Sequence, residues 1–399
     1  MLQHIHGYPV FGLHDDQTLH QFFDVMSRSE DGALMADGHL GYVMPIGGVA
    51  AYNNQVSPVG VGFDIGCGNL AVRLDLEKKD LKLEQLLNDI EKNISFGIGQ
   101  TNPEAPKDHP LFDSDDWKAY GPASRIATLK KLAREQLGTV GSGNHYVDIF
   151  SDEQHRIWIG VHFGSRGLGH KTATGFINLS QDRPWDVRAV EKEVLLDLDS
   201  DLGDRYYRTM RLSGEYARAG REWVCEYVAK LAGAPIKERI HNHHNFAWKE
   251  KHKGEERIVI RKGATPAFPG QLSFVGGSMG DPSVILEGIE SEESKKALYS
   301  TVHGAGRVMS RRKAAGAFRG RGKKRRQIKR GAVTPEMMKE WLRKKNVILR
   351  GGGLDESPHV YRRLTEVLQY HQNTITIRHW LTPLGVVMAG PDVFDPFRD

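Results

Sequence analysis

A chain of 399 residues with 39% hydrophobic content suffices for one large domain or two ordinary ones, and no apolar run reaches the roughly 18 residues of a membrane span. Its 44 glycines follow no period, which excludes a collagen-like chain, and two cysteines, Cys67 and Cys225, exclude a disulfide framework and fit a reducing compartment. The net charge of +5 is unevenly spread: twelve Lys or Arg and no acid lie between Arg307 and Arg330, so the remainder is net acidic.

Residues 35–75 read as short strands between glycine turns, as in Gly47-Gly48-Val49-Ala50-Ala51-Tyr52. Leu83, Leu86, Leu87 and Ile90 recur at helical spacing over 82–94, and a second helix over 122–137 stops at Gly138. Residues 156–162 read as a strand. The tract 187–231 reads as two helices hinged near Ser213-Gly214. A strand follows at 257–261, a Gly/Pro-rich loop at 266–282, and a helix over 294–309 interrupted near Gly304-Ala305-Gly306. Thr334 caps a helix that has Pro335 in its first turn. The end alternates between a strand at 347–349, a helix at 359–370, and strands at 374–377 and 385–388. No solenoid repeat is present, and the motifs below fall across the whole length on loops at element ends. That predicts one integrated α+β domain around a central site.

The chemistry concentrates in Gly62-Phe63-Asp64-Ile65-Gly66-Cys67-Gly68 and in histidines with Gly, Asn or Ser neighbours: His145, His162, His244 and His303. Carboxylate, thiolate and imidazole together suit a divalent transition metal. A lone histidine is usually a surface or core residue; the repeated small-residue context is what singles these out. If they converge, one histidine is left over for chemistry. Of His241, His243 and His252, at most one could assist His244 and the rest read as polar surface, and Cys225, beside Val224 and Val228, reads as core. Asp37 either orients a histidine ligand of the metal or forms a surface turn with His39. The basic tract suits a phosphate backbone or, alternatively, a solvated loop.

Eight strings carry a resemblance. They are Met35-Ala36-Asp37-Gly38-His39-Leu40-Gly41, Pro45-Ile46-Gly47-Gly48-Val49-Ala50, Ser57-Pro58-Val59-Gly60-Val61-Gly62-Phe63-Asp64-Ile65-Gly66-Cys67-Gly68, Gly141-Ser142-Gly143-Asn144-His145, Gly164-Ser165-Arg166-Gly167-Leu168-Gly169-His170, Arg261-Lys262-Gly263-Ala264-Thr265, Gly277-Ser278-Met279-Gly280 and His303-Gly304-Ala305-Gly306-Arg307-Val308-Met309-Ser310-Arg311. By these, in this order, the chain resembles the RtcB family of GTP-dependent RNA ligases. The resemblance implies a single large domain over 1–399, with β-sheets around a dinuclear metal site, flanking helices, and a basic loop inserted at 311–331. It implies joining of an RNA 3′-phosphate, or an opened 2′,3′-cyclic phosphate, to a 5′-hydroxyl, in RNA repair or tRNA splicing. GTP and two Mn²⁺ are the implied cofactors. By motif, Asp64, Cys67, His145, His162 and His244 match the metal ligands, with Cys67 bridging, and His303 matches the histidine that takes GMP. Asn144, Asp148, Asn245, Gly277, Ser278, Met279, Ser283, Gly304, Ala305 and Gly306 would line the nucleotide, and Arg166, Lys262 and Arg307 would hold RNA phosphates. Broken RNA ends are the expected partner, with a protein activator as an option. A cytoplasmic monomer without membrane attachment is expected.

The chain departs from the family's pattern. Gly385-Val386-Val387-Met388-Ala389-Gly390 has Met388 where the family usually has a lysine on the nucleotide. Asp148 replaces a usual Glu that reads guanine, Val59 a usual glycine, and Gly66 a usual asparagine. These mark a divergent paralogue. Two other readings stand beside the ligase: a metal-dependent 2′,3′-cyclic phosphodiesterase, and an RNA-binding paralogue with weakened nucleotide transfer.

Overall fold

The computed structural model describes residues 2–106, 108–319, 326–391 and 393. Two sheets form an α+β fold. The larger runs, in spatial order, Ile236–His243, Gly68–Glu77, Arg156–Phe163, Tyr146–Ser151, Ile375–Met388, Ser283–Gly288 and Leu272–Val275, with Ile348–Arg350 parallel beside Ile375–Met388. It curls nearly into a barrel. Asn69 Nδ2 donates to the Phe274 carbonyl at 3.0 Å, and the Phe274 N–H donates to Asn242 Oδ1 at 3.1 Å, so side-chain amides bridge its two edges. The smaller sheet runs Leu2–Ile5, Tyr8–Phe11, Asp31–His39, Ile46–Tyr52, Glu255–Lys262 and Asn245–His252. The alternation of apolar residues explains the buried strands: Ile157, Ile159, Val161 and Phe163 enter one core with Leu70, Val72, Val147 and Ile149.

The helices Leu83–Asn93 and Ala123–Gln136 form where periodicity places them. Thr334 caps Pro335–Lys345 by accepting the Met337 N–H at 3.3 Å. Four groups of expectations are corrected. The expected hinge at Ser213-Gly214 is absent, because Asp201–Ala232 is one unbroken helix of 32 residues. Ser213 donates its hydroxyl to the Thr209 carbonyl at 2.8 Å inside the helix, and Gly214 serves a close approach. A Cβ there would stand 2.5 Å from the Phe246 ring, and one on Gly66 would stand 2.9 Å from the Gly214 Cα. Gly214→Ala is therefore expected to cost about 1–3 kcal/mol by overpacking, measured by denaturant unfolding. Secondly, the helix expected over 294–309 is a short helix, Glu292–Lys296, followed by the strand Ser300–Val302. Tertiary pairing with Ala264–Pro266 takes precedence over local helical preference there. Thirdly, the strands expected at 374–377 and 385–388 are one strand, Ile375–Met388, whose pairing shifts register between Ile377 and His379 and again between Pro383 and Gly385. Fourthly, the expected loop at 266–282 includes the strand Leu272–Val275, and the helix expected at 359–370 narrows to Leu364–Leu368.

The basic segment expected as a loop at 311–331 contains a helix, Arg311–Ala315, and an antiparallel ribbon of Gly316–Arg319 with Arg326–Arg330. Its residues 320–325 lie outside the described residues.

Candidate active site

Sheet register gathers the candidate ligands. Gly68 pairs with Phe163 and His243, Asn69 with His162, and His162 with Tyr146. One end of the larger sheet therefore presents, on adjacent strands, Cys67 just before Gly68, His145 just before Tyr146, His162, and His244 just after His243. His244 is the single residue between a strand of the larger sheet and one of the smaller, so the cluster sits at the seam of the two. Asp64 lies between the short helix Pro58–Val61 and Cys67; a Cβ on Gly164 would stand 2.1 Å from its Oδ1, so only glycine leaves room for this carboxylate.

The five side chains form two triads that share one sulfur, Cys67–His162–His244 and Asp64–Cys67–His145. Cys67 Sγ stands 3.3 Å from His162 Nε2 and 3.6 Å from His145 Nε2. His162 Nε2 and His244 Nε2 are 3.2 Å apart, and His145 Nε2 is 3.1 Å from Asp64 Oδ2. The donor set fits a pair of divalent cations. His162 Nδ1 faces the Asn144 carbonyl at 2.9 Å, so its proton sits there and Nε2 carries a bare lone pair toward the sulfur. Burial, and next the charge of its neighbour His145 for His162 and of His303 for His244, hold both imidazoles well below the usual histidine range and keep them neutral. Burial raises the Asp64 carboxyl, but hydrogen bonding and charge from His145 and the Arg166 charge outweigh it and hold it well below the usual range. Burial, then the Asp64 carboxylate, pushes the Cys67 thiol well up. Binding of a cation must therefore expel the Cys67 proton, so affinity is expected to tighten as pH rises.

His303 follows the strand Ser300–Val302, and its ring centroid lies 4.9 Å from that of His244. Its Nδ1 stands 2.6 Å from Asp37 Oδ2, and the same oxygen accepts the backbone N–H groups of His303 at 3.0 Å and Gly304 at 3.1 Å. Asp37 is fully buried. Burial pushes its carboxyl up, but the His303 imidazole and the two N–H groups outweigh that and hold it below the usual range. A carboxylate oxygen at 2.6 Å draws the imidazole proton to Nδ1, which leaves the Nε2 lone pair for chemistry. Asp37 is not the surface turn residue of one reading, and the histidine it faces is His303, not one of the metal ligands expected by the other. His39 is half-buried with its ring facing the Leu40 carbonyl; burial, then the His303 charge, lowers it to about 4.

The family model for the tRNA-splicing ligase RtcB matches residues 24–389. The chain belongs to the RtcB family. Its relatives include the tRNA-splicing ligase RtcB of Thermococcus kodakarensis, 27% identical with 93% of this chain and 91% of that one covered. The RNA-splicing ligase RtcB of Escherichia coli K12 is 34% identical, with 72% and 76% covered, and the tRNA-splicing ligase RtcB of Archaeoglobus fulgidus 30%, with 88% and 86% covered.

The remaining expected residues of this RtcB member divide into four sets. Asn144, Asp148, Ser283 and the Gly277-Ser278-Met279 loop lie on or beside strands of the larger sheet. Ser283 Oγ accepts the Gly277 N–H at 3.0 Å and Ser278 Oγ donates to Asp281 Oδ2 at 2.7 Å, which fixes that loop. Asp148 is buried, and its Oδ1 has no hydrogen-bond partner among the described residues; burial pushes the carboxyl well above its usual range. Gly304, Ala305 and Gly306 continue from His303, and Ala305 is buried. Arg166 reaches the cluster, with Nη1 3.4 Å from His145 Nδ1. Three residues have other work. Asn245 Oδ1 accepts the Gly263 N–H at 2.8 Å, so its side chain braces the loop beside His303. Lys262 is buried, its ammonium donating to the Val59 carbonyl at 3.1 Å and lowered to about 8 by burial. Arg307 donates to Tyr361 Oη at 3.0 Å and the Asp355 carbonyl at 2.8 Å, and stands 3.3 Å from Glu356 Oε2. Neither Lys262 nor Arg307 presents its charge as the expected phosphate contact does.

Sequence reasoning missed Arg221, which is fully buried beneath the metal loop. It donates to the Gly66 carbonyl at 3.0 Å and to the Phe163 carbonyl, and its Nη2 faces His241 Nε2 at 2.8 Å and His243 Nδ1 at 3.0 Å. Burial lowers it to about 10, so it stays cationic at neutral pH. Its signal was a charge on the apolar stripe of Ala217, Val224 and Val228. His241 and His243, expected on the surface, instead satisfy this guanidinium, and His252 is buried with its Nε2 2.8 Å from Glu250. Cys225 lies in the core as expected.

Proposed function

We propose that this RNA ligase joins RNA 3′-phosphate or 2′,3′-cyclic phosphate ends to 5′-hydroxyl ends through GMP carried on His303, consuming GTP and using two Mn²⁺. The observation that carries the reading is His303, oriented by the buried Asp37 carboxylate and adjacent to the double triad. Its Nε2 lone pair attacks the α-phosphorus of GTP; a P–N bond forms, a P–O bond breaks and pyrophosphate leaves. The RNA 3′-phosphate then attacks that phosphorus and the P–N bond breaks. Finally the 5′-hydroxyl attacks the activated RNA phosphate and GMP leaves. A cyclic phosphate is first opened by water. Asp37 stabilises the imidazole as charge develops on it, and Arg166 can offer a planar fork to a phosphate. Cys67, His162 and His244 would hold one metal ion and Asp64, Cys67 and His145 the other. Bound metal would supply Lewis-acid polarisation of phosphate oxygens.

The orphaned Asp148 carboxyl suits the adjacent N–H donors of a guanine edge. Met388 packs with Tyr146, Met279 and Leu342, so that side of the nucleotide site is apolar where the family has a lysine. A phosphodiesterase has no use for an oriented nucleophile, which favours the ligase. Broken RNA ends are the proposed substrate, and the proposal has the protein act as a cytoplasmic monomer; no helix among the described residues is long and apolar enough to cross a membrane.

Asp37→Asn keeps the shape but loses control of the tautomer. Joining is expected to fall by about 10²–10⁴-fold with metal content unchanged. Joining at the unmodified rate would show that Asp37 has no orienting role. The end specificity is read with paired oligonucleotides: 3′-phosphate with 5′-hydroxyl should be joined, and 3′-hydroxyl with 5′-phosphate should not. The reverse preference would exclude the proposed chemistry.

A further inference from the structure

The cations of the basic tract are not all alike. Two at its root, Arg307 and Arg311, are spent inside the protein, while Arg312 and Lys313 between them and the ribbon are exposed. Arg307 is held by Asp355, Glu356 and Tyr361, and Arg311 lies 2.6 Å from Glu356 and 3.4 Å from Asp355. Those on the ribbon are not. Arg319, Arg326, Lys329 and Arg330 are exposed, and none has an ion-pair partner among the described residues. Arg319 stands directly opposite Arg326 across the ribbon, an arrangement in which like charges destabilise the pairing. A two-stranded ribbon has little stability of its own to offset this. Two apolar side chains on the same ribbon are also exposed, Phe318 at 40% and Ile328 at 63%.

The root places this surface beside the reaction. The Arg311 guanidinium packs against Gly143, two residues before the candidate ligand His145. Ala314 is buried with Val333 and Val360, which anchors the ribbon to the body. At about 3.3 Å per residue, Gly316–Arg319 carries its charge about 10 Å beyond that root.

We propose that the ribbon Gly316–Arg319 with Arg326–Arg330 is a dock for the RNA backbone, holding phosphates several nucleotides away from the break that is sealed. This rests on the ligase reading for its substrate. An RNA strand supplies a regular run of closely spaced anions along one backbone for the opposed arginines, which an acidic peptide, with its carboxylates on separate flexible side chains, does not.

The test compares the intact protein with a variant carrying Arg319→Gln, Arg326→Gln, Lys329→Gln and Arg330→Gln. Binding of a labelled 3′-phosphate stem-loop is followed across a salt series without GTP or Mn²⁺, so the dock is read independently of catalysis. The slope of log affinity against log salt is expected to shrink by about 3, from about 0.7–0.9 per lost contact. In joining assays, KM for that RNA should rise about 10-fold or more while kcat is unchanged; an RNA of a few nucleotides should show neither change. A second variant, Arg326→Glu, creates an ion pair with Arg319 and so supports the ribbon's fold; it should weaken RNA binding all the same. An unchanged salt slope, or RNA binding retained by Arg326→Glu, overturns the dock. A fall in kcat shared by long and short RNA would also overturn it, by showing that the ribbon supports the site instead. Failure of the unaltered protein to join RNA while the salt slopes differ would contradict the ligase reading and leave the dock standing.

Discussion

His303→Ala is expected to join no RNA, a loss of more than about 10⁴-fold, while retaining its metal ions and its fold. The size of the effect follows from the role. A positioning residue can be bypassed in part, but a nucleophile that carries the transferred group leaves the reaction without its first bond. His303 is not within the triads, and its Nδ1 is turned to Asp37, so its removal leaves the ligand set intact. Metal analysis of the purified variant should match the unaltered protein. Residual joining at a tenth of the normal rate would move the nucleophile elsewhere.

Cys67→Ala is expected to lose both metal sites together, with affinity for Mn²⁺ weakened by at least about 100-fold and joining abolished. Its sulfur is the one atom common to the two triads. The neighbouring ligands separate the two: His244→Ala removes a donor from only one triad and His145→Ala from only the other, so each should retain about one ion per chain. This two, one and zero pattern, read by titration with Mn²⁺, distinguishes a shared thiolate from two independent sites. Retention of one tightly bound ion by Cys67→Ala would show that the sulfur does not bridge.

The candidate ligands were legible in the sequence because they match the motifs of the family the chain resembles, several of them beside Gly or Asn. The helices at Leu83–Asn93 and Pro335–Lys345 were legible because local spacing and capping alone determine them. What was not legible depends on distant partners. Asp37 and His303 are far apart in sequence and meet only because the strand Ser300–Val302 is drawn beside the smaller sheet. Arg261 contributes to that placement, joining Glu250 at 2.6 Å and Ser300 Oγ at 2.8 Å from a fully buried position. The same pairing turned an expected helix into a strand. Gly214 read as a hinge because sequence shows the missing side chain but not the Phe246 ring that occupies its place. Arg221 was overlooked because a charge within a helix is ordinarily solvated, and the carbonyls and histidines that receive it come from three other elements. The basic tract was legible as charge, but its division into spent and unspent cations required the structure.

The most direct test of the account incubates the purified protein with Mn²⁺ and GTP labelled at the α-phosphate, then looks for label on the protein after denaturation. The account expects an acid-labile, alkali-stable adduct, present with the unaltered chain and absent from His303→Ala. Label that persists in His303→Ala, or no label with any guanine nucleotide in a protein that nonetheless joins RNA, would contradict it.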